Sequence, residues 1–158
     1  MKNRNLRGFV ACAVYAAVLG VLSFALGRVV PKGIFHADRF PFKCSAKEAR
    51  VYDALRVKSW QNKLPDMSRI FKKIMPEKRM TAASLADLPR MLEETCVAEA
   101  THVALAVCGL AMPLLWPGVG GVVFAAAYIL LGNVPFVIIQ RYNRPRLQRL
   151  HDKRKGKT

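Results

Sequence analysis

Acidic residues are scarce in this chain, and over two long stretches charge of either sign is missing altogether. Only 10 Asp and Glu stand against 26 Lys and Arg in 158 residues, a formal net charge of +16, yet 53% of the residues are hydrophobic. A soluble domain does not combine these properties unless they are segregated along the sequence. They are segregated: no Asp, Glu, Lys or Arg occurs from Gly8 to Gly27 or from Val103 to Ile139. Cysteine is sparse as well, and Cys12, Cys44, Cys96 and Cys108 show no C-x-x-C spacing. That pattern argues against a disulfide framework and against a zinc ribbon. The G-x-S-x-G nucleophile elbow is missing too, which argues against a serine hydrolase.

What remains is the architecture of an all-helical integral membrane protein. The first uncharged stretch has 20 residues, about what a helix needs to cross a hydrocarbon core of roughly 30 Å. Residues 8–27 are therefore the first expected transmembrane helix. Lys2, Arg4 and Arg7 before an apolar run also describe a secretory signal peptide, although no clean small-x-small cleavage site follows. The second stretch suffices for two crossings if it turns, and Pro113, Trp116, Pro117, Gly118, Gly120 and Gly121 supply the turn. A hairpin of two helices, 99–116 and 119–139, is expected, because lipid leaves no partner for unpaired backbone. The span that ends at Ile139 stops abruptly in Arg141, Arg144 and Arg146, as a membrane exit does.

Fifteen Lys and Arg lie from Arg28 to Arg90, none in the hairpin turn, and eight after Ile139. The positive-inside tendency then puts the 28–98 region and the 140–158 tail in the cytoplasm. The polyanion nearest such a basic layer is the anionic phospholipid leaflet, not a nucleic acid. Within the layer, Ser45 followed by Glu48 is a capping-box arrangement. Val51, Tyr52, Leu55 and Trp60 continue it as the apolar stripe of an amphipathic helix of about four turns, ended by Pro65. A second basic surface segment contains Ile70, Phe71, Ile74 and Met75. A longer helix is expected from Ser84, with Pro89 as an alternative start, running through Glu94, Glu99 and His102 into the second span. The basic tail after Arg149 is expected to be irregular.

Chemistry concentrates where that helix enters the membrane. Glu99 and His102 are three apart and so share a helix face, with Glu94 in the same sector. A carboxylate beside an imidazole fixes its tautomer and raises its basicity, which suits deprotonation of an alcohol. Ionisable groups at a membrane boundary are costly and usually functional, although pinning a helix end in the headgroups is the plain alternative. Glu-x-x-His is also a di-metal ligand spacing, but such a site requires a second copy, and none exists. No metal or cofactor is expected. Asn133, inside the third span, needs hydrogen-bond partners from another helix or from a polar site.

Three blocks give the sequence a resemblance. One is Asn-Val-Pro-Phe-Val-Ile-Ile-Gln-Arg-Tyr-Asn-Arg-Pro-Arg-Leu from Asn133 to Leu147. Another runs from Val57 to Asp66, and the third comprises Glu94, Thr95, Ala98, Glu99 and His102. In order and spacing, across roughly residues 28 to 150, these resemble the glycosyl-4,4'-diaponeurosporenoate acyltransferases, small bacterial membrane enzymes of carotenoid glycolipid (staphyloxanthin-type) biosynthesis. H-x-x-x-x-D, the signature of glycerolipid acyltransferases, is not present.

The resemblance implies a multi-pass cell-membrane O-acyltransferase that esterifies a sugar hydroxyl of a membrane glycolipid. His102 would then be the general base, Glu99 its orienting group, and Glu94 a third catalytic residue that binds the acceptor or assists. Arg141, Arg144, Arg146 and Gln140 would hold the phosphates of an acyl-CoA or acyl carrier protein donor, since guanidinium forks bind phosphate in pairs. Lys58, Trp60, Lys63, Asp66, Asn133 and Tyr142 are the candidates for acceptor recognition. Three spans make a thin wall for a two-substrate site, and a homodimer is one way to thicken it. The competing classes are a non-enzymatic membrane adaptor that binds anionic lipid or a protein partner, and an acyltransferase for another glycolipid.

Overall fold

The computed structural model describes residues 2–64 and 87–156, and within them every regular element is helical. The expected surface segment around Ile70 to Met75, and Pro65, Asp66 and Ser84, lie outside the described residues. The elements are α1 (Lys2–Val29), α2 (Ala46–Ala54), α3 (Val57–Trp60), α4 (Leu88–Gly109), α5 (Met112–Leu115), α6 (Val119–Leu130) and α7 (Val134–Lys155). Single 3-10 turns at Lys32–Ile34 and Gln61–Lys63 complete the order. Three helical stretches are long and apolar enough to cross a membrane: Asn3–Val29, Leu88–Leu115 and Val119–Lys155. Large apolar side chains on α1 such as Val21 (69% exposed) and Leu26 (61%) look outward, as they must where the surroundings are acyl chains.

The spans meet around Trp116. Cys12, Met112 and Ala125 form a buried cluster, with Tyr15, Trp116, Phe124 and Tyr128 packed on it. Phe9 sets its ring edge-on to both Trp116 and Phe124, at 6.4 and 5.5 Å between centroids, the geometry that ring quadrupoles favour. Tyr15 donates its hydroxyl to the Cys108 carbonyl at 3.1 Å. The expected hairpin turn is present: α4 ends at Gly109, α5 is a single turn, and Gly118 takes φ 108° before α6 begins. Only glycine adopts that φ without strain.

Three expectations change. The third span is two helices rather than one, because α6 stops at Leu130 and α7 begins at Val134 with Pro135 in its first turn. Proline fits there because the first-turn N–H groups have no helical acceptor anyway. α4 starts at Leu88, with Pro89, the alternative start, in its first turn.

The four-turn amphipathic helix breaks after Ala54, since Arg56 adopts the left-handed region at φ 51°. That bend turns Val57 inward to full burial, and the carbonyl of Leu55 accepts from the Trp60 indole at 3.0 Å. The capping box at Ser45 and Glu48 does form. Finally, the tail is helical to Lys155, with Lys153, Arg154 and Lys155 in the last turn, where cations favour the negative end of the helix dipole.

Candidate active site at the membrane exit of α7

α4 and α7 carry the site between them. Pro145 lies inside α7, and a proline has no N–H to give the carbonyl four residues back, which here is Arg141. The thiol of Cys44 takes that acceptor at 3.4 Å. The irregular segment before α2 is thereby fastened to α7, and its carbonyls face the arginines. Arg141 Nη1 donates to the Pro41 carbonyl at 3.2 Å, and Arg144 Nη1 to that of Phe42 at 2.6 Å.

Glu99 is the centre of this cluster. It is only 5% exposed, so an unpaired carboxylate there would carry a penalty of several kcal/mol. Its Oε1 accepts from Arg141 Nη1 at 2.5 Å. Oε2 meets Arg144 Nη2 at 2.6 Å as an ion pair without hydrogen-bond alignment. Arg144 is 2% exposed and also donates from Nε to the Thr95 hydroxyl at 2.9 Å and from Nη2 to the Thr95 carbonyl at 3.0 Å. Arg141 reaches Glu48 Oε1 from Nε at 2.9 Å.

Glu48 thus serves two structures with one carboxylate, because its other oxygen accepts from the Ser45 N–H at 2.8 Å. Burial pushes the Glu48 carboxyl up, but the Ser45 N–H and the Arg141 guanidinium outweigh it and hold the group below the usual carboxylate range. Burial also pushes the Cys44 thiol up, against the opposing pull of Arg144 and Arg141. Two carboxylates, Glu48 and Glu99, against two guanidiniums leave the cluster without net charge.

His102 lies one turn deeper along α4. The structure does not pair it with Glu99; its Nδ1 stands 3.1 Å from Asn133 Oδ1, and its ring stacks on Phe136 at 4.8 Å and 9°. The orientation of the Asn133 amide follows from its other end. Nδ2 donates to the Tyr128 carbonyl at 2.9 Å, so the oxygen faces the imidazole. An oxygen accepts, hence Nδ1 donates, and in the neutral imidazole Nε2 then keeps its lone pair. Nε2 has no hydrogen-bond partner among the described residues. Asn133 is 2% exposed, at the break between α6 and α7, where the Tyr128 carbonyl also accepts from the Gly132 N–H at 3.2 Å.

The remaining candidates separate. Glu94 binds Lys32 Nζ at 2.7 Å and Arg90 Nε at 3.5 Å, five residues before Glu99 on α4. Arg146 holds its Cζ over the Tyr142 ring, 3.5 Å from the centroid, and reaches Asp53 at 3.5 Å, with 45% of its side chain exposed. Trp60 is bound to the Leu55 carbonyl, Lys58 and Lys63 are exposed, and Gln140 is half-buried on α7. No group of three or more His, Cys, Asp or Glu that could hold a metal is found among the described residues.

Glu48, Cys44 and Phe136 were not candidates from sequence. Glu48 carried a signal only for its cap, and nothing in the order of residues links it to Arg141.

The glycosyl-4,4'-diaponeurosporenoate acyltransferase family model matches residues 31–153. The chain belongs to that family. It is an acyltransferase, and its three apolar helices make it a membrane protein. Among curated relatives, the glycosyl-4,4'-diaponeurosporenoate acyltransferase of Staphylococcus aureus strain MRSA252 is 26% identical over 143 residues, 88% of this chain and 85% of that protein. The protein of the same name from strain Newman is 27% identical over 151 residues, 92% and 90% of the two chains. No solved structure matches the chain.

Proposed function

We propose that this acyltransferase esterifies a sugar hydroxyl of a membrane glycolipid, a glycosylated C30 carotenoic acid by analogy with its relatives' name, with a fatty acyl group from a thioester donor. The observation that carries the reading is the Tyr128–Asn133–His102 relay, which leaves His102 Nε2 as a lone-pair acceptor at the membrane boundary. Nε2 takes the proton of the acceptor hydroxyl as its oxygen attacks the thioester carbonyl. The tetrahedral intermediate then expels the thiolate, which takes the proton from Nε2. Transfer is direct, with no acyl-enzyme.

Asn133 occupies the orienting place that a carboxylate fills in many such sites. Glu99, Arg141 and Arg144 act around this base as a rigid, charge-balanced floor that fixes α4 against α7. The basic region after α1 and the tail of α7 face the cytoplasm in this reading, where thioester donors are made.

The test is acyl transfer in membranes containing the chain, with heavy-isotope acyl-CoA, a glucosylated carotenoic acid offered beside native glycolipids, and products read by mass spectrometry. A labelled ester that disappears in His102→Ala is expected. Equal ester from His102→Ala, with protein abundance matched, removes His102 as the base.

A further inference from the structure

With Arg141 and Arg144 bound to Glu99, Glu48, Thr95 and backbone carbonyls, the motif that suggested a phosphate site has one arginine still facing outward, Arg146. Beside it lies an open cleft walled by α3 and α7, lined by Asp53, Arg56, Val57, Lys58, Tyr142 and Arg146. Val57 is fully buried and Tyr142 is 6% exposed, and together they form a firm base. Arg56, Lys58 and Arg146 give three cations against one carboxylate, Asp53. The excess is local, in contrast to the neutral cluster around Glu99.

The backbone at Arg56 adds an independent observation. Arg56 is the first residue beyond the cap of α2 and takes φ 51°. Helix ends place glycine or asparagine in that conformation because a Cβ there is strained. An arginine occupies it here, on the wall of the cleft, and strain of this kind collects at binding sites.

Position along α7 narrows the ligand class. The His102 ring rests on Phe136, and Arg146 is ten residues further along the helix, about 15 Å at 1.5 Å per residue. A ligand with phosphate at the cleft and a reactive carbonyl at His102 must separate the two by a long flexible chain. In a phospholipid only a glycerol lies between phosphate and ester carbonyl. In a pantetheine thioester a long arm does.

We propose that the cleft between α3 and α7 binds the phosphate groups of the acyl donor, a phosphopantetheine thioester, through Arg56, Lys58 and Arg146. Naming the ligand a donor rests on the acyl-transfer reading given above; the anion site itself does not.

The experiment uses the full chain in phosphatidylcholine nanodiscs, titrated calorimetrically with coenzyme A. Arg146→Gln and Lys58→Gln each weaken binding roughly tenfold, as loss of one charge-assisted contact does. Arg56→Gly weakens it similarly while the melting temperature holds or rises, since glycine suits φ 51°; this variant separates binding from folding. Arg39→Gln, a control on the exposed segment before α2, leaves binding unchanged.

Absence of coenzyme A binding by the wild type, or equal affinity in all three cleft variants, overturns the site. Loss of coenzyme A binding when phosphatidylglycerol is added, through the same three residues, makes this a headgroup site and overturns the donor assignment. Ester formation with an unchanged KM for acyl-CoA in all three variants sinks the cleft and leaves the reaction standing. Coenzyme A bound through these residues, with no ester formed on any glycolipid, leaves the cleft standing and sinks the reaction.

Discussion

Glu99 Oε2 and Arg144 Nη2 lie 2.6 Å apart with 6% and 2% of their side chains exposed. A pair so withdrawn tolerates neither partner's loss, because the survivor is a buried charge. Glu99→Gln and Arg144→Ala should each cost about 3–5 kcal/mol of stability. Arg144→Lys should fail too, since an ammonium cannot reproduce the fork that holds Thr95, Phe42 and Glu99 together. Thermal unfolding in nanodiscs checks this. The double variant Glu99→Gln with Arg144→Met should be more stable than either single change of its partner residue; additive losses would mean that the two residues are not coupled.

Asn133 is expected to govern turnover rather than binding. Asn133→Leu removes the oxygen that selects the His102 tautomer, so a fraction of the imidazole presents Nε2–H instead of a lone pair. kcat should fall about 10- to 100-fold, in the range of general-base contributions, with KM for both substrates unchanged. A rise in KM at constant kcat would instead place Asn133 in substrate binding.

How much of this was legible beforehand depended on the range of the interaction. Spans, the hairpin turn and the Ser45–Glu48 cap rest on residues within a few positions of one another, and sequence periodicity reports such relations directly. Glu99 with His102 shows the limit. Helical spacing says that two side chains can touch, but Arg141, 42 residues away, and Arg144, 45 residues away, offered the carboxylate a stronger partner. Separations of 31 and 93 residues likewise hid Asn133 from His102 and Glu48 from Arg141. The bend at Arg56 was hidden for another reason: left-handed backbone is read from glycine, and an arginine gives no such sign.

Acid should loosen the attachment of α2. The Glu48 carboxyl is held below the unfolded value of about 4.3 by the Ser45 N–H and Arg141, against burial. A group whose folded pKa is depressed stabilises above its unfolded pKa, and the contribution fades as pH falls through the folded value. The stability gap between wild type and Glu48→Gln should therefore be full at pH 7 and close progressively below about pH 4. A gap that is constant with pH would mean that the carboxylate charge contributes nothing.

The glycines around Trp116 should divide by what a methyl group would meet. At Gly121 an added Cβ would run into the Trp116 carbonyl, which belongs to the turn itself and cannot rotate away. At Gly8 and Gly120 it would overlap the Trp116 ring, which has some freedom to shift, and at Gly20 nothing lies within 4 Å. Gly121→Ala should thus cost about 1–3 kcal/mol, the usual range for forced overpacking. Gly8→Ala should cost less, and Gly20→Ala should be neutral or stabilising by up to about 1 kcal/mol, since alanine is the better helix former. Because α1 touches the bundle through Gly8, Cys12 and Tyr15, a cysteine pair placed across α1 and α6 should crosslink less in Gly8→Leu than in wild type. Equal crosslinking would show that α1 is held mainly by the lipid and not by its seat on Trp116.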